Sequence, residues 1–405
     1  MKRSIAYLKV RGIKSDMMKH SAMYSRVVIS LSILLISACL EPYSPNIKDA
    51  AIDIFVVDGF LDTSDGSATV TLSKATNMID GTPTPRVQNA SVTIEGNDGS
   101  SYAVPEDTAG VYVASGIPVN ASTQYRVHIV ANGSEYASDY VQGKPTPAID
   151  SVTRAFAENG TTVYVNTHDA SGLTQYYRWE YVETYEYTSR VNSEYKVVNG
   201  VPISRNADES IYRCYRTVNS TKIYVTSTIQ LEADVVRHFP LINIAPESNK
   251  LYIRYSAQVK QRAINKAEYT FLDQLKKTTE GIGTLFDPQP SQVLGNVHNL
   301  SGGAAPLGYF SAGSTTSQRI FIIYNDLPKY LKGQNLALCA VDTICIIPKI
   351  FKSCFKNADQ ITDSDIIAGG IYSVSGALLG YTHTYPGCAD CRLAGGVVKK
   401  PEFWP

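Results

Sequence analysis

Short apolar runs separated by turn clusters dominate the chain from residue 54 to about 147. Ile54-Phe55-Val56-Val57 opens the series, and Ala68-Thr69-Val70-Thr71-Leu72 follows the turn cluster Thr63-Ser64-Asp65-Gly66. Ala90-Ser91-Val92-Thr93-Ile94 precedes a second turn, Gly96-Asn97-Asp98-Gly99. Gly110-Val111-Tyr112-Val113 and Tyr125-Arg126-Val127-His128-Ile129 come after it. β-Branched and aromatic runs broken by Gly/Asn/Asp turns every 10–20 residues predict an antiparallel sandwich. Lys144-Pro145-Thr146-Pro147 predicts a stiff, extended boundary, because each Pro restricts itself and its predecessor.

The remainder, 148–405, stays β-rich. Tyr177, Trp179, Tyr181, Tyr185 and Tyr187 share one parity of a run whose other parity holds Arg178, Glu180, Thr184, Glu186 and Thr188. Period two places the aromatics on one face of a strand and most charges on the other. Such a stripe has two uses: core packing, the commoner fate of such rings, or an aromatic recognition surface for a carbohydrate, peptide or protein. Leu251, Ile253, Tyr255, Ala257 and Val259 repeat the alternation. One segment changes period: Ile264, Ala267, Phe271, Leu272 and Leu275 recur at helical spacing. Asn265 is placed to cap that helix, with Glu268 three residues on and Gly281 beyond its end. The expected fold is mostly β: an N-terminal antiparallel β-sandwich at 39–147, tether included, then a larger β-rich domain with few helices at 148–405.

The first 38 residues are different. They carry seven Lys/Arg against one acid and lead into residues 27–36, VVISLSILLI, then Ile36-Ser37-Ala38-Cys39. The apolar run is too short for a bilayer but suits the core of a signal peptide. Small residues before Cys39 resemble a lipobox, in which the thiol is acylated and the protein is held to the lipid bilayer. Ordinary secretion with Cys39 as a bystander is the weaker alternative. The formal charge of zero conceals the basic leader: without it, 30 basic and 36 acidic residues remain, a body near −6. That balance gives no drive toward nucleic acid, which needs clustered cations to displace counterions.

Six further cysteines, Cys214, Cys339, Cys345, Cys354, Cys388 and Cys391, read first as disulfides in an exported chain, with the pairing left open by spacing. Cys388-Ala389-Asp390-Cys391 has redox spacing but no helical pattern after it. His383 offers zinc only a third ligand. The catalytic patterns are no richer. His168-Asp169 is the sole His beside an acid in sequence, and a glycosidase built on Glu183 or Glu186 would need carboxylates about 5–10 Å apart across a cleft. Neither Gly-x-Ser-x-Gly, nor His-Glu-x-x-His, nor a phosphate loop occurs. The expectation is a non-enzyme with no cofactor and no bound metal, and a ligand the sequence does not name.

Several blocks resemble the DUF4249 family, lipoproteins of Bacteroidetes. They are Ile54-Phe55-Val56-Val57-Asp58-Gly59-Phe60-Leu61, Arg254-Tyr255-Ser256 with Ala267-Glu268-Tyr269, and Phe286-Asp287-Pro288-Gln289-Pro290-Ser291. Gly295-Asn296-Val297, Leu307-Gly308-Tyr309-Phe310-Ser311-Ala312 and the ending around Cys388–Arg392 and Pro401-Glu402-Phe403-Trp404 complete the set. Residues 87–113 are also similar to carboxypeptidase-regulatory-like and immunoglobulin-like sandwiches. The family offers no catalytic residues to carry over. The resemblance implies an outer-membrane lipoprotein that partners a TonB-dependent receptor in nutrient capture or uptake. A structural or adhesive envelope protein is the alternative, and a hydrolase the third reading. Glu41 is the single acid soon after Cys39, so surface-exposed and periplasm-facing attachment stay open. For Gly295, Gly308, Pro288, Pro290 and Trp404 the expected role is architectural: turns, close packing and a plug.

Overall fold

A computed structural model describes residues 54–75, 84–280, 293–332 and 339–405, which belong to one compact unit, Ile52–Pro405. Cys39, its leader, the 286–291 block and Gly281 lie outside the described residues. Within them the fold is mostly β, with strands in five sheets.

Two of these sheets form the first sandwich. In one, Phe55–Asp62 pairs antiparallel with Ser67–Lys74, which continues to Val111–Ala114 and Glu106–Thr108. The facing sheet centres on Gln124–Ala131, flanked by Ser91–Gly96 and Ser134–Ser138. Alternation along these strands sends Val57, Leu61, Val70 and Leu72 inward against Val92, Ile94, Val127 and Ile129, all nearly or fully buried. Each such side chain contributes roughly 1.5–3 kcal/mol by leaving water. The two turns seen in sequence close where expected, with Gly66 and Gly99 at φ +70° and +87°, a region that favours glycine.

The division at 147 needs correcting. Leu307–Gly313 returns to lie parallel to Phe55–Asp62, and Val297–Asn299 pairs with Ser134–Ser138. The first sandwich is therefore completed by chain from the second half. Gly295 and Gly308 explain how closely it is completed: a Cβ on Gly308 would stand 2.1 Å from the Val57 carbonyl oxygen, and one on Gly295 only 1.5 Å from that of Gly308. Between them the buried Asn296 donates from Nδ2 to the Phe310 carbonyl and accepts from the Phe310 N–H, both at 2.8 Å. These blocks hold a strand pairing together.

The second sandwich packs a three-stranded sheet, Ile149–Ala157, Gly160–His168 and Val235–Ile244, on the sheet Arg213–Asn219, Tyr176–Thr188, Arg254–Ala263 and Thr315–Ile323. The Lys144–Pro147 stretch joins the sandwiches without acting as a hinge. Lys144 Nζ donates to the Ile264 carbonyl (3.1 Å), and the Pro147 carbonyl accepts from Gln261 (2.9 Å) and Thr316 (3.0 Å). The helix predicted after Ile264 runs Lys266–Glu280, and Asn265 Oδ1 accepts the Glu268 N–H at 2.8 Å as a cap should. Phe271 and Leu272 bury its inner face against Tyr176 and Tyr309.

A fifth sheet, ordered Val201–Ser204, Tyr195–Val198, Ile366–Tyr372, Leu378–Thr384, Val341–Cys345 and Lys356–Asn357, carries a small core of its own around Ile344 and Ile367. Three disulfides staple this part: Cys214–Cys391, Cys339–Cys388 and Cys345–Cys354. Cys388 and Cys391 pair with distant cysteines and not with one another, so the CxxC retains no thiolate for redox work or zinc.

Candidate functional site

The aromatic stripe is core, not surface. Tyr177 and Trp179 are almost wholly buried, Tyr185 and Tyr187 are 5% exposed, and Tyr181 is half-buried. Trp179 stacks on Phe239 (4.6 Å) and Tyr177 (5.7 Å), and its Nε1 donates to Gln261 Oε1 at 2.9 Å. The Tyr187 hydroxyl donates to the Cys391 carbonyl at 2.7 Å. The period-two reading of the strand was right; Tyr177, Tyr185 and Tyr187 go to the core, while Tyr181 at the middle of the stripe reaches a cleft wall. A sheet packs over these rings, as their hydrophobic area favours.

The carboxylates proposed for a hydrolase do not converge. Glu183 and Glu186 are each 4% exposed and sit at odd and even positions of one strand, hence on opposite faces. Glu183 accepts from Tyr255 (3.0 Å) and pairs with Lys250 (2.5 Å), while Glu186 pairs with Arg213 (2.7 Å) and accepts from Trp404 Nε1 (3.1 Å). They are paired interior groups. Trp404, 4% exposed, is the plug the sequence suggested. His168 finds its acid in Asp150, with Nδ1 2.8 Å from both carboxylate oxygens, and that contact raises its pKa. Asp169 instead caps the following turn through Ser171 and Thr174, bonds that pull its carboxyl down to about 2. His383 lies beside Asp365 at 3.5 Å, and burial lowers its pKa.

A different site emerges where the two sandwiches meet. The outer face of Phe55–Asp62 and Ser67–Lys74, contributing Asp58, Thr69 and Thr71, stands opposite Arg178 and Glu180 on Tyr176–Thr188 and Lys260 on Arg254–Ala263. The 219–224 segment closes one side with Asn219, Lys222 and Tyr224, leaving a cavity of about 470 Å³. Its floor is an ion cluster. Arg178 bonds Glu180 at 2.6 Å and lies 3.7 Å from Glu268 on the helix. Arg262 lies 3.6 Å from Glu180, with its guanidinium 3.6 Å above the centre of the Phe60 ring.

Burial opposes every charge in this cluster, and the outcome differs by residue. For Arg178 the carboxylates of Glu180, Asp58 and Glu268 outweigh it, so its pKa is raised. Glu180 is lowered because Arg178 and Arg262 outweigh burial. Glu268 is left under-compensated, and burial pushes its carboxyl up to about 7. Arg262 is lowered by burial, despite Glu180.

Above this floor, Lys222 is exposed and Lys260 half-buried, and neither forms a salt bridge among the described residues. Tyr181 and Tyr224 present tilted rings with centroids 5.8 Å apart. The cleft thus offers two ammonium groups outside salt bridges, one of them beside Glu180, several hydroxyl and amide groups, and an aromatic wall. Such a set has the hydrogen-bonding and stacking groups that suit oxygen-rich polar molecules. A larger hollow of about 770 Å³ beside Tyr212 has Arg190, Glu247 and Asp390 at its rim, but Asp390 is already held by Arg392 at 2.7 and 2.9 Å.

Of the cleft residues, only Trp179 and Tyr181 were singled out in sequence as a candidate site, as part of the aromatic stripe. The signal was the charged parity of the Tyr176–Thr188 strand, whose meaning depends on what packs over it.

Residues 40–319 match the family described as "Domain of unknown function (DUF4249)". The chain belongs to this family. The family segment includes the cleft, the Lys266–Glu280 helix and the first sandwich, and ends within the Thr315–Ile323 strand of the second, before five of the six disulfide cysteines. No curated protein matches the chain. Among solved structures, a two fibronectin type-III domain segment from chicken tenascin is 13% identical, covering 51% of this chain and 88% of its own at a TM-score of 0.14. The chicken interferon gamma receptor alpha chain is 8% identical, covering 52% and 90% at a TM-score of 0.13. Among the described residues, no helix is long and apolar enough to cross a membrane.

Proposed function

We propose that this family member is a non-enzymatic lipoprotein of the outer membrane. In this reading it is held by acylated Cys39 and binds an oxygen-rich polar ligand in the cleft between its sandwiches, as accessory partner of a TonB-dependent receptor in nutrient capture. The observation that carries the binding reading is the pair Lys222 and Lys260. Neither forms a salt bridge among the described residues, and both border a cavity of about 470 Å³ over a buried ion cluster. Ligand sites favour such junctions, where a few polar groups converge beside aromatic walls. The ion cluster makes the floor rigid, so the ligand meets groups already in place and less ordering entropy opposes binding. The anchor reading rests on the basic flank, the short apolar run and the small residues before Cys39. The receptor reading rests on the family resemblance.

The test is isolation of the full lipidated chain from native membranes in mild detergent, with mass spectrometry of whatever co-purifies. The proposal expects a β-barrel receptor in near-equal amount and acyl chains on Cys39. Isolation of the chain alone in repeated preparations would remove the receptor partnership, and an unmodified Cys39 would remove the anchor.

A further inference from the structure

The Val341–Cys345 strand leads into a loop with an unusual surface. Cys345–Cys354 closes it, and residues between them read Ile346-Ile347-Pro348-Lys349-Ile350-Phe351-Lys352-Ser353. Ile346, Ile347 and Ile350 are 39, 42 and 55% exposed, and Phe355 just beyond the bridge is 50% exposed. Single exposed hydrophobic residues are ordinary, but four on one short loop are not. The three isoleucines belong to no core, since the nearby cluster around Ile344 is complete without them, while Phe355 stacks on the buried His383 ring at 4.7 Å.

The loop is also rigid. The Ile346 and Ile347 N–H groups both donate to the Leu379 carbonyl (3.0 and 3.2 Å), Phe355 N–H donates to Thr343 (2.8 Å), and Pro348–Ile350 forms a 3-10 turn. Phe351 turns back against Gly380, so the three isoleucines project from a fixed base. The charge here has one sign. No acid occurs between Asp342 and Asp359, and of the three lysines only Lys356 is committed, to Asp365 at 2.6 Å. Lys349 and Lys352 are exposed beside the isoleucines.

We infer that this disulfide-clamped loop docks on an anionic lipid surface, its isoleucines entering the headgroup boundary and Lys349 and Lys352 meeting lipid phosphates. An apolar tip rimmed by lysines is the arrangement that interfacial segments use, with the lysine stems lying along the apolar surface and the ammonium groups outside it. A protein partner fits less well. The tip offers a handful of apolar side chains, whereas a stable protein interface takes roughly 800 Å² from each side. The inference rests on the proposed membrane anchoring only for its setting: lipid at Cys39 would hold the chain where the loop could reach a bilayer, and the second contact would fix its orientation.

The test omits the anchor, so the two ideas fail separately. The chain from Leu40 onward keeps the whole compact unit and carries no lipid. It is mixed with vesicles of phosphatidylethanolamine and phosphatidylglycerol, or of phosphatidylcholine alone, and bound protein is measured by sedimentation. We expect binding to the anionic vesicles and weak binding to the neutral ones. Lys349→Glu with Lys352→Glu should weaken it by roughly 25-fold, about fivefold per lysine. Ile346→Ser, Ile347→Ser and Ile350→Ser combined should abolish it, with disulfides and melting temperature unchanged. Ile347→Trp gives a readout independent of any loss of folding. Its emission should shift to the blue and be quenched by brominated lipid, while the buried Trp179 and Trp404 stay unquenched. Equal binding to both vesicle types, no binding to either, or an unquenched Trp at 347 would overturn the inference.

Discussion

Replacing Glu268 by Gln should stabilise this protein at alkaline pH, although it removes a charge that faces an arginine. The Glu268 carboxylate is buried at 3% exposure and lies 3.7 Å from Arg178, beyond hydrogen-bond distance, while Arg178 spends its direct contact on Glu180 at 2.6 Å. The attraction is therefore shared and burial dominates, raising the pKa from 4.5 to about 7. A carboxyl whose folded pKa is raised binds its proton more tightly in the folded state. Its contribution is thus most favourable below about pH 4.5 and is lost as pH rises through about 7. Each pKa unit corresponds to about 1.4 kcal/mol, so the penalty above neutrality is about 3 kcal/mol. Gln keeps the shape but does not titrate. Urea unfolding followed by tryptophan fluorescence, at steps between about pH 4 and 8.5 with disulfides intact, reads the effect directly. Glu268→Gln should match the parent near pH 4, exceed it by up to about 3 kcal/mol near pH 8, and flatten the slope between. A variant less stable than the parent near pH 8 would refute the reasoning, because the Arg178 pair would then outweigh the cost of burial.

Other substitutions test the architecture. Gly308→Ala places a Cβ 2.1 Å from the Val57 carbonyl oxygen, where backbone faces backbone. It should cost more than about 2 kcal/mol in urea unfolding; a change under about 0.5 kcal/mol would mean the parallel pairing is looser than described. Cys214→Ser with Cys391→Ser opens a bridge across 177 residues and should lower stability by roughly 2–5 kcal/mol, read as a fall in melting temperature against a parent with all three bridges intact.

The elements that local pattern specifies were legible in the chain. Alternation marked the strands of the first sandwich, Gly66 and Gly99 marked its turns, and Asn265 marked the start of the Lys266–Glu280 helix. Faces were less legible than periods. The Tyr177-to-Tyr187 stripe sits on one face of its strand as the alternation requires, but both faces are covered: one by the three-stranded sheet, the other by the first sandwich and the helix. Period two cannot say what lies above a strand. Glu268 shows the same limit: its spacing from Asn265 suggested a capping partner, yet its carboxyl turns inward toward Arg178, which is 90 residues away in sequence. The return of Leu307–Gly313 to Phe55–Asp62 joins segments some 250 residues apart and has no local signal beyond the two glycines that permit it. The cleft inherits all of these distances. Asp58, Arg178, Lys222 and Lys260 become neighbours only through tertiary pairing, so no motif could have announced them.

Calorimetric titration of the soluble chain with acidic and neutral oligosaccharides, beside the variant Lys222→Ala with Lys260→Ala, tests the binding site most directly. The account predicts saturable binding of an acidic, hydroxyl-rich ligand that the double variant weakens by at least tenfold, about 1.4 kcal/mol, with its melting temperature unchanged. Binding that the two lysines do not affect would contradict it, as would a cleft indifferent to every such ligand.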